Sequence, residues 1–294
     1  MTSGSGCDVK ELCGLAGVSR SGYYRWINSS ERRRHREEQD LEDFAKIKEA
    51  YDYRGYSKGY RGIRMRLLRM GIRMNHKKIM RLMRKYGLWC PIRQANPYRR
   101  MAKALRTNAV AENRVKREFR CHGPRKILLT DITYIRLKDS FLYLSVIKDA
   151  FTMQVLAYQL SESLEVDFVL ETIRKMMRDH LCSMDAMAIV HSDQGCHYTS
   201  VAFRQLLEDF HLRQSMSRRG NCWDNAPQES FFGHMKDELQ PYVKDWQTPS
   251  DVKARIDDWM EYYNNERYQT SLQWMSPNEY YHYLVTNHLP TALL

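Results

Sequence analysis

The stretch from residue 125 to about 160 constrains the fold most. "KILLTDITYI", "FLYLSVIKDAF" and "MQVLAYQL" are rich in β-branched and aromatic residues, and the polar turn "RLKDS" joins the first two. Runs of this length and composition form strands. A helix over 164–180 follows, then "MAIVHSD" as a buried strand. "TSVAFRQLLEDF" comes next as a helix, with Ser200 as its cap and Phe203, Leu206, Leu207 and Phe210 as its apolar stripe. A short strand at "LRQSMS" precedes "NCWDNAPQESFF", a turn that opens another helix. Three strands, helix, strand, helix, strand, helix is an α/β layout on a mixed sheet. A last helix, "SDVKARIDDWMEYYNNE", turns Val252, Ile256, Trp259, Met260 and Tyr263 inward.

The chain of 294 residues is long enough for two or three domains. No apolar run approaches the roughly 20 residues of a membrane span. "MTSGSGCDVKE" has no basic or apolar signal region, so a cytoplasmic location is expected. The seven cysteines include no C-x-x-C pair and read as reduced thiols. Cys121-His122 and Cys196-His197 lack the spacing of a zinc site.

Charge divides the chain. Residues 1–126 carry a net +20 and residues 127–294 a net −8. Between Asp52 and Glu112 there are 17 lysines and arginines and no acid. A solvated surface normally mixes both signs, so this segment predicts a polyanionic partner, double-stranded DNA. Residues 9–27, "VKELCGLAGVSRSGYYRWI", read as helix, tight turn, helix. Val18 fits as a core plug, Ser19 as a cap, and Arg20, Ser21 and Tyr24 as outer-face DNA contacts. Residues 29–50 read as a solvated connecting helix with i, i+4 charge pairs. Residues 56–90 hold a second helical pair, stopped at Gly71 and Gly87, with Asn75 capping "HKKIMRLMRKY". Lys77, Lys78, Arg81, Arg84 and Lys85 leave its apolar face and are DNA-contact candidates. Residues 91–123 read as a basic linker.

Three carboxylates stand out. Asp131 lies inside an apolar strand, Asp193 follows a buried strand, and Glu229 lies in the first turns of a helix. A carboxylate in such a strand is costly unless paired or metal-bound. Three that converge raise each other's pKa values. A divalent cation removes both penalties, and oxygen-only ligands favour Mg²⁺ or Mn²⁺. On a basic protein, such a site suits two-metal phosphoryl transfer at a phosphodiester. Lys236, seven residues after Glu229, lies on the same helix face and can reach a phosphate, while Phe232, Met235 and Leu239 face the core.

Asp193 and Glu229 enclose 35 residues. With Asp131, they resemble the D,D-35-E signature of retroviral integrases and bacterial transposases. "TDITYI", "HSDQGCHYTS", "SMSRRGNCWDNAPQESFFGHMKDEL" and "YNNERYQTSLQWMSPNEY" resemble, in order, motifs of the insertion sequence 3 family transposase, second-frame product. "GVSRSGYYRW" and "GYRGIRMRLLRMGIRMNHKKIMRLMRKYGL" resemble its N-terminal modules. The resemblance implies an RNase H-like catalytic core, preceded by all-α helix-turn-helix DNA-binding modules. It implies Asp131, Asp193 and Glu229 as catalytic metal ligands, cleavage that frees a 3′-OH, and transfer of that end to a target strand. It further implies two ions, a homo-oligomer on DNA, and fusion to a short upstream-frame product. The expected domains are residues 1–50, 51–120 and 121–285.

Other residues have plainer readings. Asp149, Asp224 and Asn225 are near the site by pattern, but Asp149 reads as a strand-end residue, Asp224 or Asn225 as a turn cap, and His191 as a hydrogen-bonded sheet residue. His234 is near the site by pattern. Trp223 reads as core, and Asn264 and Arg267 as part of a structural cover with access to DNA. A hydrolytic nuclease on the same fold and a DNA-binding regulator with an inactive core are the competing functions.

Overall fold

The computed structural model describes residues 8–55, 59–90, 110–138, 140–218 and 222–290, Cys222 by its backbone alone. The chain forms two compact units, Met1–Trp89 and Cys90–Leu294.

The first unit is helical. α1 (Val9–Leu15) and α2 (Arg20–Asn28) meet at Gly17, whose φ of 65° suits a residue without a Cβ. Ser19 caps α2 by accepting the Gly22 N–H at 3.1 Å. Cys13 is the one buried residue of the pair. Val18 is 51% exposed, so it does not plug a core as the sequence suggested. A helix of seven residues leaves too little apolar face to enclose it.

α3 (Ser30–Asp52), α4 (Tyr60–Arg69) and α5 (His76–Lys85) make the core of this unit. Ile47 and Ala50 pack with Ile63, Leu67, Ile79 and Leu82, and Phe44 lies against them. The second half of α3 is therefore structural, and the expected boundary at residue 50 falls inside a packed helix. The charge pattern hid this because few apolar residues suffice to bury one side of a long helix. Gly71 and Gly87 end α4 and α5 with φ of 75° and 68°, and Asn75 accepts the Lys77 N–H at 2.9 Å.

The second unit is built on a five-stranded sheet in the order β3-β2-β1-β4-β5. The strands are β1 (Ile127–Leu137), β2 (Ser140–Asp149), β3 (Val155–Ser161), β4 (Ile189–Ser192) and β5 (Arg213–Met216). β1, β2 and β3 run antiparallel, and β4 and β5 run parallel to β1. α6 (Asp167–His180) and α7 (Val201–Asp209) cover one face through Leu128, Ile147, Val190, Ile173 and Phe203. α8 (Ala226–Leu239), α9 (Pro249–Asn265) and α10 (Pro277–Thr286) complete the unit, with Phe231 packed edge-on against Trp259 and Tyr263. All five residues expected on the inward face of α9 are buried.

The linker expected before residue 120 is partly core. Arg117 and Asn113 bond Asp224, and the Arg114 N–H donates to Ser215 at 2.9 Å. Residues 91–109 lie outside the described residues.

Candidate active site

Sheet register brings the first two carboxylates together. Leu129 of β1 pairs with His191 of the parallel β4. Two residues further on are Asp131, still inside β1, and Asp193, the first residue after β4, and the charge of Asp193 acts on Asp131. Adjacent strands are spaced about 4.8 Å, so the two acids meet. The Asp131 carboxylate accepts the Ile132 N–H at 2.8 Å and the Asn225 side-chain N–H at 3.1 Å. Asp193 accepts the Gly195 N–H at 2.8 Å.

Electrostatics follow from this placement. Burial, then the charges of Asp193 and Glu229, push the Asp131 carboxyl up to about 8, against the pull of its two donors. Burial also raises Asp193, while the Gly195 N–H and His197 oppose the rise. Each acid carries the penalty that a bound cation would relieve.

Glu229 lies in the first turn of α8, partly buried, and reaches Asp131 through its charge. Among the described residues, no three His, Cys, Asp or Glu side chains form a ready-made metal cage. The donor set that fits is thus an open one. Mg²⁺ is commonly held by one or two carboxylates, with waters and substrate phosphate completing its shell. Asp131 and Asp193 have the chemistry of such a pair. Phe232, Met235 and Leu239 are buried and Lys236 is exposed, as the helix pattern predicts.

The surroundings are polar and tightly held. Asp224 is buried and receives Arg117, Arg218 and Asn113; the Arg218 bonds first, then Arg117, hold its carboxyl well below the usual range. It is a clamp, not an ion ligand. Its neighbour Asn225, near the site by pattern, proves to be a hydrogen-bond donor to Asp131, a contact the sequence did not reveal. His191 bridges Ser215 and the Asp224 carbonyl, each at 2.9 Å, and burial lowers its pKa, so it is a sheet residue as expected. Asp149 is also structural and holds the turn at Thr152, whose hydroxyl donates at 2.6 Å.

Other expectations change. Trp223 is 69% exposed, outside the core, on a short 3-10 turn that leaves no apolar surface to cover it. Asn264 spends both ends of its amide on the Val155 backbone, at 2.9 Å each, and so closes the edge of β3. Arg267 forms a buried fork with Glu238 at 2.9–3.0 Å. Both side chains are thus spent on bonds within the fold. His234 is exposed on α8.

In the helical unit, Arg20, Ser21 and Tyr24 are exposed on α2. Lys78, Arg81 and Lys85 turn towards α3. Arg81 grips Asp40 with two bonds of 2.6–2.7 Å, Lys78 pairs with Asp43, and Lys85 with Glu37 and Asp40. Acids of α3 thus partly neutralise these three DNA-contact candidates. Lys77 and Arg84 are exposed and share a surface hollow with Met80, Arg81 and Lys85.

A mixed sheet in this strand order, with acids on β1 and just after β4 and a third on α8, defines an integrase-type, RNase H-like core. Models of an integrase core domain match residues 122–222 and 211–277, and a model of an HTH-like domain matches residues 38–96. The chain is similar to an uncharacterised transposase-like protein of Haemophilus influenzae, 36% identical over 216 residues, 72% of this chain and 95% of that one. It is also similar to the uncharacterised 31 kDa protein of insertion element IS600 from Shigella sonnei, 31% identical over 277 residues, 92% of this chain and 98% of the relative. The putative transposase for insertion element IS150 of Escherichia coli is 33% identical over 238 residues, 80% and 81% of the two chains. A chain of the simian T-cell lymphotropic virus intasome solved with a PP2A regulatory subunit shares the fold, with a TM-score of 0.50, 17% identity, and coverage of 74% of this chain and 70% of that one. The chain belongs to the insertion-sequence transposases with an integrase core domain, and the insertion sequence 3 family read from its motifs agrees with them. The HTH-like match falls on α3–α5, the helices that pack together, and not on α1–α2. No helix among the described residues is long and apolar enough to cross a membrane.

Proposed function

We propose that this protein cuts DNA at the ends of an insertion element and joins the freed 3′-OH to a target strand. The observation that carries the reading is the register that sets Asp131 beside Asp193, with the charge of Glu229 acting on them. Asp131, Asp193 and Glu229 would hold Mg²⁺ or Mn²⁺, two ions in the full site. Held there, a divalent ion would supply Lewis-acid chemistry to the attacking and leaving oxygens of a phosphodiester. Asn225 and the Ile132 N–H fix the Asp131 carboxylate, and Gly195 fixes that of Asp193. Lys236 positions the strand's phosphate two turns along α8. Arg20, Ser21, Tyr24, Lys77 and Arg84 contact duplex DNA, with Lys78, Arg81 and Lys85 adding the charge that α3 leaves them. The working form is a homo-oligomer on DNA, fused to the upstream-frame product, in the bacterial cytoplasm.

The test is a Mg²⁺-dependent assay on un-nicked and pre-nicked element ends. Glu229→Gln should fold and bind DNA, yet lose cleavage and strand transfer together, each by at least about a hundredfold, because one site serves both steps. Lys236→Ala should keep partial activity, having lost a positioning contact alone. Near-normal strand transfer by Glu229→Gln on the pre-nicked end would sink the single-site reading. Cut products with no joined ones from the unaltered protein would favour a hydrolytic nuclease.

A further inference from the structure

β4 ends at Ser192, but β1 runs on to Leu137. Beyond Leu129, β1 pairs with β2 alone. A groove of about 830 Å³ lies between this stretch of β1 with its hairpin partner, the second half of α8, and the 3-10 helix Gln240–Asp245. Residues of both strand parities line it, because the strand has no neighbour on that side.

The lining has an unusual chemistry. It includes Arg136, Lys138, Lys236 and Lys244, all exposed, and no acidic side chain among the described residues. Lys138 also lies near enough to Asp251, outside the lining, to lower that carboxyl slightly, behind the effect of Asp251's own cap bonds. Tyr134 and Phe141 are each 51% exposed and stand edge to face, with centroids 6.4 Å apart. A surface basic for solubility alone has no use for two open aromatic rings. A patch built to dock an apolar protein face would not gather four like charges. Cations beside open rings fit a ligand with phosphates and exposed flat faces.

An unpaired nucleotide is that ligand. Duplex DNA hides its base faces in the stack, and the groove has the size of a small-molecule site. Its position points the same way. Lys236 is seven helical residues beyond Glu229, about 10 Å. Ile135, four strand residues beyond Asp131 and on its face, lines the groove about 13 Å away, and Tyr134 joins it from the other face. A strand leaving the carboxylates along α8 enters this groove.

We propose that the groove holds unpaired nucleotides of the DNA strand that is processed at the carboxylates, with a base on Tyr134 or Phe141 and phosphates on Lys236, Lys244 and Arg136. The proposal rests on the function proposed above and adds a subsite to it.

The experiment uses the full chain with two probes, a blunt duplex and the same duplex with a single-stranded tail of about three nucleotides carrying 2-aminopurine. The unaltered protein should quench the 2-aminopurine by stacking. Replacing both rings, Tyr134→Ala with Phe141→Ala, should abolish the quench and weaken binding of the tailed probe by about tenfold, leaving the blunt probe unchanged. Tyr134→Phe in the Phe141→Ala background should restore the quench. Lys244→Gln should reduce the salt slope by about one contact on the tailed probe alone. Equal losses on both probes, or a quench that survives loss of both rings, would overturn the groove. Asp193→Asn separates the two readings. If it abolishes cutting and the ring variants leave the tailed probe untouched, the function stands and the groove falls. If it cuts normally, the function reading falls, and the quench still decides whether the groove takes unpaired bases.

Discussion

At the scale of single residues, the site depends on what holds each carboxylate still. Gly195 shows this. A Cβ at that position would stand 2.9 Å from the Asp193 Oδ1, which also accepts the Gly195 N–H. The Gly195 carbonyl is tied to the Tyr198 and Thr199 N–H groups at 3.1 Å, so the backbone resists moving. Gly195→Ala should therefore swing the carboxylate and not the loop. We expect DNA cleavage to fall by at least about tenfold, about 1.4 kcal/mol in barrier, while Tm moves by less than about 3 °C. Cleavage and melting of the purified variant check this, and unchanged cleavage would mean that the contact does not orient Asp193. The two aspartates were legible in the sequence because an acid beside apolar strand residues needs a reason. Asn225 was not. An asparagine in a turn reads as a cap, and its bond to Asp131 spans 94 residues that only the fold brings together.

At the scale of elements, α8 carries the third acid, and its start is fixed from below by Lys148. That side chain on β2 is fully buried. Its Nζ donates to the Pro227 carbonyl at 2.9 Å and lies 4.8 Å from the centre of the Phe231 ring. Burial, and to a lesser degree the charge of Arg267, lowers its pKa to about 7. Between about 7 and the ordinary value of 10.5 the folded protein therefore holds fewer protons on this group than the unfolded chain. Its contribution to stability thus rises with pH across that window. Lys148→Met keeps the length and removes the charge to be desolvated. The variant should be at least as stable at pH 7 and should lose part of the rise above it. It should cut DNA several-fold more slowly, because Pro227 loses a donor and the turn bearing Glu229 loosens. Denaturant unfolding at pH 7 and 9 beside a cleavage assay decides the matter, and a variant unstable at pH 7 with full activity would contradict it. Periodicity made α8 legible, since Phe232, Met235 and Leu239 repeat on one side. It could not reveal Lys148, which sits in a run, "FLYLSVIKDAF", whose polar positions all read as solvent-facing or terminal.

At the scale of the whole molecule, the charge split marks two units with different tasks, but the split in sequence is not the split in structure. The net +20 of residues 1–126 includes the segment 110–120, which docks on the catalytic unit. Within it, cations of α5 pair with Asp40, Asp43 and Glu37, acids the net charge already subtracts but does not locate. Composition counts such charges without knowing their partners. Two fragments separate these effects. Residues 110–294 retain Asn113 and Arg117, whereas residues 121–294 leave buried Asp224 with Arg218 as its remaining charged partner. The shorter fragment should be less stable by about 1–3 kcal/mol, the cost of stripping partners from a buried carboxylate. Both fragments should bind duplex DNA more weakly than the full chain and with a shallower salt dependence, since each lost phosphate contact removes about 0.9 from the slope. Urea unfolding of the two fragments and DNA titrations at several salt concentrations are the measurements. If the shorter fragment matches the longer one in stability, residues 110–120 are only a tether. If either fragment keeps the full salt slope, the helical unit does not supply the phosphate contacts, and the basic half of the chain needs another explanation.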